Sequence, residues 1–168
     1  MTEMSESINT QPQHQTLLGA SDYEMALDTL LGKAGRTLRI FEHTLGRSWN
    51  NAHRHDILRM FLHADRLNRL YIVVHRADNI ARDCPRLMLL LKQFSHSIAI
   101  HETHDHVKSV SDPFAVADER HFLRRFHYVD MRGQFGQDDP NGAHQLIDRF
   151  NDLWEASQPA VSATTLGL

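Results

Sequence analysis

Three short runs rich in strand-forming residues constrain this chain most: Thr37-Leu38-Arg39-Ile40-Phe41, Leu70-Tyr71-Ile72-Val73-Val74 and Ser97-Ile98-Ala99-Ile100. Each follows a segment whose apolar residues recur at helical spacing. The first hundred residues therefore alternate α-β-α-β-α-β. Strands joined through helices run parallel, and the helices must cover the sheet. The unbroken apolar run 70–74 suits a strand buried on both faces. In the first run Leu38 and Ile40 share one face.

The helices have their own signals. Ser21 and Glu24 have capping-box spacing, and Tyr23, Leu27, Leu30, Leu31 and Ala34 follow as an apolar stripe closed by Gly35. A loop from His43 to Asn51 carries Gly46 and Trp49. A second helix is expected over about 52–66 with Ile57, Phe61 and Ala64 inward. Pro85 opens a third helix, with Leu87, Leu90, Leu91 and Phe94 inward and Cys84 beside it as a half-buried structural thiol.

The pattern changes beyond residue 100. Pro113–Ala117 and Phe122–Val129 read as a hairpin across Asp118-Glu119-Arg120. The pair Gly133 and Gly136 reads as a turn. Asp139 and Pro140 start a final helix whose stripe is Ala143, Leu146, Ile147, Phe150, Leu153 and Trp154, with Phe150 and Trp154 packed as core. Residues 1–20 are expected to be a disordered arm, 21–158 the domain and 159–168 a flexible tail. The expected fold is α/β: a mixed sheet flanked by helices, with β-α-β units followed by a hairpin and a C-terminal helix.

Composition excludes several classes. The chain has 168 residues, enough for one domain with a real core. A single cysteine forms no internal disulfide. The longest apolar run, Leu87 to Leu91, is far shorter than a membrane span. No signal peptide opens the sequence, so a cytoplasmic protein of bacterial type without membrane association is the simplest expectation. The net charge of −3 argues against a general nucleic-acid binder. Walker, Gly-x-Gly-x-x-Gly, Gly-x-Ser-x-Gly and His-Glu-x-x-His motifs are absent, and no cofactor is implied.

Histidine is unusually frequent, at 13 residues against 8 glycines. The segment His101-Glu102-Thr103-His104-Asp105-His106 is densest, and imidazole with carboxylate suits zinc, nickel or copper. The segment reads first as a polar loop without metal, and metal-responsive regulation through His101, His104 and His106 is an alternative. His53 and His55 lack ligand spacing. His121 and His127 lie six apart, on one strand face. Titration of so many imidazoles would give a large charge swing below pH 7.

The second half resembles one half of the phospholipase D superfamily. A strand leads into a strand-turn-strand near an Asp, then a Gly-containing loop and a helix ending in Phe-x-x-x-Trp; the resemblance covers roughly residues 21–158. More closely, Phe114-Ala115-Val116-Ala117-Asp118 and residues 147–157 are similar to a small uncharacterised bacterial family of such domains. The superfamily's signature is His-x-Lys, four residues, then Asp; the His is the nucleophile and the Lys holds phosphate oxygens. With Asp118 as the motif's Asp, the His position holds Ser111 and the Lys position Pro113. The Gly-Ser pair and the Asn that follow fall on Arg125, Phe126 and Tyr128. This register implies a non-catalytic domain for binding or assembly. A phosphate-type anion would sit at Ser111, Asp118, Arg124 and Arg125, with Arg36 and Arg39 around the first strand. A homodimer is implied too, because family halves pair, and an acetyltransferase domain is an expected companion. A second register, His106-Val107-Lys108 with the Asp position at Pro113, implies a diverged phosphodiesterase or nuclease using His106 and Lys108.

Overall fold

The computed structural model describes residues 11–163. The elements are β1 (Gln13–Leu17), α1 (Ala20–Lys33), β2 (Thr37–Thr44), α2 (Ala52–Ala64), β3 (Arg69–Arg76), α3 (Ile80–Asp83), α4 (Pro85–Gln93), β4 (Ile98–Thr103), β5 (Phe114–Ala117), β6 (His121–His127), β7 (Asp130–Gln137), α5 (Pro140–Glu155) and β8 (Ser157–Val161). Among the described residues, eight strands form one sheet in the order β1-β7-β6-β5-β2-β3-β4-β8. The pairs β2–β3 and β3–β4 are parallel, as helical crossovers require, and the others are antiparallel.

Strand alternation divides the core in two. Leu38 and Ile40 of β2 face α1, α2 and α4, which bury Leu27, Leu30, Leu58, Leu87 and Leu91 there. Phe41, Val73, Phe114, Val116 and Phe122 face the other way, under Ala143, Leu146, Phe150 and Leu153 of α5. The α5 stripe and its Asp139 cap, which accepts from the Gly142 N–H at 3.0 Å, match the sequence pattern.

Several expectations are corrected. The arm expected over residues 1–20 lies outside the described residues as far as residue 10, but 13–17 form β1, an edge strand. Its side chains are exposed except Leu17, which is why its polar composition hid it. Residues 159–161 of the expected tail belong to β8, which pairs with β4 at the other edge, where Pro159 is tolerated; residues 164–168 lie outside the described range. Gly133 and Gly136 are in β7, not a turn. A Cβ on Gly136 would come within 2.3 Å of the Phe122 ring, and one on Gly133 within 2.0 Å of the Arg124 carbonyl. These glycines serve close approach, not bending.

The capping box does not form. Gly19 is the N-cap of α1 with no side-chain hydrogen bond, and Glu24 instead receives the Arg54 guanidinium at 2.6 Å. Arg54 explains why α2 is rotated from the expected face. It is 1% exposed and buried with Leu58, Phe61 and Leu62, whereas Ile57 is half-buried and Ala64 exposed. A buried guanidinium must be paired, and Asp28 at 2.8 Å and the Ser48 carbonyl at 3.1 Å complete the set. Cys84 is fully buried, and burial pushes its thiol up to about 11. Among the described residues no helix is long and apolar enough to cross a membrane.

Candidate functional site

The parallel strands β2 and β3 end in polar residues directly after their apolar runs: Glu42, His43 and Thr44 on β2, His75 on β3. In open α/β sheets ligands enter at the carboxyl ends of such strands. A cavity of about 310 Å³ lies there, walled by Tyr23 and Glu24 of α1, Glu42 and His43, Trp49, and Arg125 and Tyr128 after β5.

One ion pair dominates the cavity. Arg125 Nη2 donates to Glu42 Oε2 at 2.8 Å, with the side chains only 11% and 8% exposed. Arg125 also lies over the Tyr23 ring, 5.1 Å from its centroid, and its buried Nε has no hydrogen-bond partner among the described residues. Burial pushes the Glu42 carboxyl up to about 7; Arg125 pulls it down and Glu24 adds to the rise. The same burial, with Glu42 nearby, drives the Tyr23 phenol far above its ordinary range.

The histidines have different roles. His75 is buried; its Nε2 meets the Val110 carbonyl at 2.6 Å and its Nδ1 meets Thr103 Oγ1 at 2.7 Å. A carbonyl only accepts, so Nε2 carries the proton and Nδ1 accepts from the hydroxyl. Both ring nitrogens are thereby occupied. His43 stacks on Tyr128, ring centroids 4.3 Å apart and planes 11° from parallel, and is the imidazole that lines the cavity. Burial lowers the pKa of both; for His43 the Arg76 and Lys108 charges add to it, and for His75 the Val110 hydrogen bond opposes it.

The structure does not bring the four expected anion ligands together. Ser111 and Asp118 lie beyond opposite ends of β5. The Ser111 carbonyl accepts the Tyr128 N–H at 2.8 Å, near the cavity. Asp118, at positive φ of 55°, accepts the N–H groups of Gly35, Arg36 and Thr37 at 2.8–3.0 Å. It is itself a bound anion tying the α1–β2 turn to the β5–β6 turn. Arg124 and Arg125 are neighbours on β6 and point to opposite sheet faces; Arg124 lines a hollow beside His14, Asp139 and the start of α5. Arg36 pairs with Asp65 at 3.5 Å on the surface.

The second register is also dispersed. Lys108 Nζ donates to the His75 carbonyl at 2.6 Å, while His106 is exposed beside His104. Pro113 is buried, and Asp112 is held by Arg149. The metal set does not converge. The His101 ring stacks on Trp154 with centroids 3.6 Å apart, and its Nδ1 meets Ser157 Oγ at 2.9 Å. Among the described residues no three His, Cys, Asp or Glu side chains are placed to hold a metal. A register shift between Arg125 and His127 breaks the strand alternation that was to put His121 and His127 on one face. His121 is buried and accepts the Asp138 N–H at 3.1 Å. Glu42, His43 and His75 were missed because the apolar runs were cut short of their polar ends.

Residues 20–166 match the model of a family described as Domain of unknown function (DUF7931). No curated protein matches the sequence. Among solved structures the chain is similar to Nuc from Salmonella typhimurium, a phospholipase D family member, at 13% identity over 90% of this chain and 100% of that one, with a TM-score of 0.63. It is similar to TrmBL2, an archaeal chromatin protein, at 12% identity over 94% of this chain and 57% of that one, with a TM-score of 0.64. NucT from Helicobacter pylori matches at 11% identity over 89% of this chain and 100% of that one, with a TM-score of 0.54. At such identities the likeness is one of fold, and the fold is phospholipase D-like: a mixed sheet flanked by helices.

Proposed function

The chain belongs to the family described as Domain of unknown function (DUF7931), and from its phospholipase D-like fold and strand-end cavity we propose a binding and assembly domain that performs no turnover. Its ligand is a small phosphate-type anion held at Arg125. The observation that carries this reading is the Arg125–Glu42 pair across the cavity. An arginine fork suits a tetrahedral oxyanion, and the incoming anion replaces Glu42, whose burial already favours its neutral form. His75 and Lys108 are not free for covalent chemistry: both nitrogens of His75 are occupied and the Lys108 ammonium is held by a backbone carbonyl.

Calorimetry with sulfate, whose charge is constant over this pH range, tests the binding. Affinity should rise as pH falls through about 7, because Glu42 takes up a proton, and Arg125→Gln should abolish it. Binding indifferent to both changes overturns the proposal. Hydrolysis of bis(4-nitrophenyl) phosphate should not exceed the buffer rate; turnover abolished by His106→Ala establishes instead the diverged phosphodiesterase that uses His106 and Lys108.

Assembly is assigned to a homodimer formed at the β6–β7 tip. There Phe126, Tyr128 and Val129 are 54%, 38% and 72% exposed, beside the cavity mouth. Exposed apolar clusters of this kind mark association surfaces. Sedimentation should show a dimer that Val129→Glu converts to monomer; a monomeric wild type at high concentration excludes it.

A further inference from the structure

A second cavity, of about 280 Å³, lies between α5 and the sheet and is walled by Arg39, Tyr71, Phe150, Asn151 and Trp154. It shares no residue with the strand-end cavity. Arg39 on β2 is in register with Tyr71 on β3, so the guanidinium and the phenol ring are side by side on the α5 face. Arg39 Nη1 is buried and has no hydrogen-bond partner among the described residues. Among the described residues the wall offers no carboxylate, and Asp148 and Asp152 of α5 are exposed. A buried donor left unsatisfied is costly and calls for a partner.

The other walls are aromatic and braced. Trp154 meets Tyr71 edge-on at 5.5 Å and stacks over Phe150 at 5.7 Å. On its other side it is backed by the His101 ring, which is held by Ser157; that hydroxyl in turn donates to the Trp154 carbonyl at 2.6 Å. The expected core role holds for Phe150, which is buried, but Trp154 is only partly buried and forms a cavity wall. Phe150 and His101 occupy the two indole faces, so the wall offers a flat ring edge-to-face contact, and a planar guanidinium suits a planar oxyanion.

We propose that this cavity binds a small monocyclic aromatic carboxylate, its carboxylate on Arg39 and its ring against Trp154 and Tyr71. The cavity is at the small end of ligand sites, which fits a single ring. It lies against Phe150–Trp154, the last turns of a helix that ends at Glu155. The negative end of the helix dipole disfavours a dianion there, so a singly charged carboxylate is preferred to a phosphate monoester.

Benzoate, its neutral isostere benzamide and phenyl phosphate are the probes, titrated into the full chain and followed by calorimetry and by the indole N–H signals in nitrogen-edited NMR spectra. Benzoate should bind saturably and move the Trp154 indole signal. Benzamide and the Arg39→Gln variant should each weaken binding about tenfold or more, and phenyl phosphate should bind less well than benzoate. Equal binding of benzoate and benzamide, an unmoved Trp154 signal at millimolar benzoate, or tighter binding of phenyl phosphate overturns the proposal. Should Arg39→Gln not fold, the benzoate and benzamide comparison on the wild type decides. Arg125→Gln should leave benzoate binding unchanged, which separates this site from the strand-end cavity.

Discussion

Replacing Glu42 with Gln should remove one component of the pH dependence of stability. Carboxylates paired with arginine usually strengthen a fold as pH rises. At Glu42 burial outweighs the Arg125 charge, and the carboxyl holds its proton up to about pH 7 in the folded chain, against an ordinary value of 4.5. Between those values the folded chain binds more protons than the unfolded one, so stability falls as pH rises. At about 1.4 kcal/mol per unit, that displacement amounts to about 3 kcal/mol. Gln keeps the shape and an oxygen for Arg125 but does not titrate. Urea unfolding followed by circular dichroism, from about pH 4.5 to about pH 8, gives the stability of both proteins at each pH. Wild-type stability minus that of Glu42→Gln should decline by about 3 kcal/mol across this range. The subtraction cancels the titration of other groups. A flat difference, or one that grows toward alkaline pH, would refute the reasoning and mean that Arg125, not burial, governs this carboxyl.

Other perturbations have defined outcomes. Arg54→Met leaves Glu24 and Asp28 without their partner and should cost about 3 kcal/mol in urea unfolding; the two carboxylates are 37% and 24% exposed, which keeps the loss at the low end for a broken buried pair. Gly136→Ala should cost about 1–3 kcal/mol by driving a methyl into the Phe122 ring, and Phe122→Leu in the same chain should recover part of it, read as a coupling in a double-mutant cycle. Asp118→Ala should cost about 2 kcal/mol because three backbone donors lose their acceptor, while Asp118→Asn, which tolerates the positive φ, should cost less; neither should alter sulfate binding. His75 has a lowered pKa when folded, so its contribution is complete above about 6.5 and is lost as pH falls; His75→Phe should flatten the acid side of the stability profile.

Legibility from sequence followed the strength of periodicity. The three central strands and α5 could be read because their apolar side chains repeat at the spacing of the element that buries them. The edge strands could not. β1 exposes four of its five side chains and β8 none that is fully buried, so neither needs an apolar pattern. β7 was hidden by glycines required for close approach to β6, Gly136 at the Phe122 ring and Gly133 at the Arg124 carbonyl. The site was only partly legible. Arg125 was named, but as a free anion ligand beside Ser111, Asp118 and Arg124. Its pairing with Glu42 spans 83 residues and depends on the order β5-β2 within the sheet.

The sequence by itself determined the α/β class, the parallel centre, the hairpin and the final helix, because these rest on local periodicity and capping chemistry. Tertiary structure alone decided which charges meet. It placed Arg54 inside, set Asp118 and Ser111 beyond opposite ends of β5, closed Arg125 onto Glu42 and left Arg39 Nη1 without a hydrogen-bond partner among the described residues. Ion pairing is decided by distance and burial across strands far apart in the chain, and residue spacing carries no record of either.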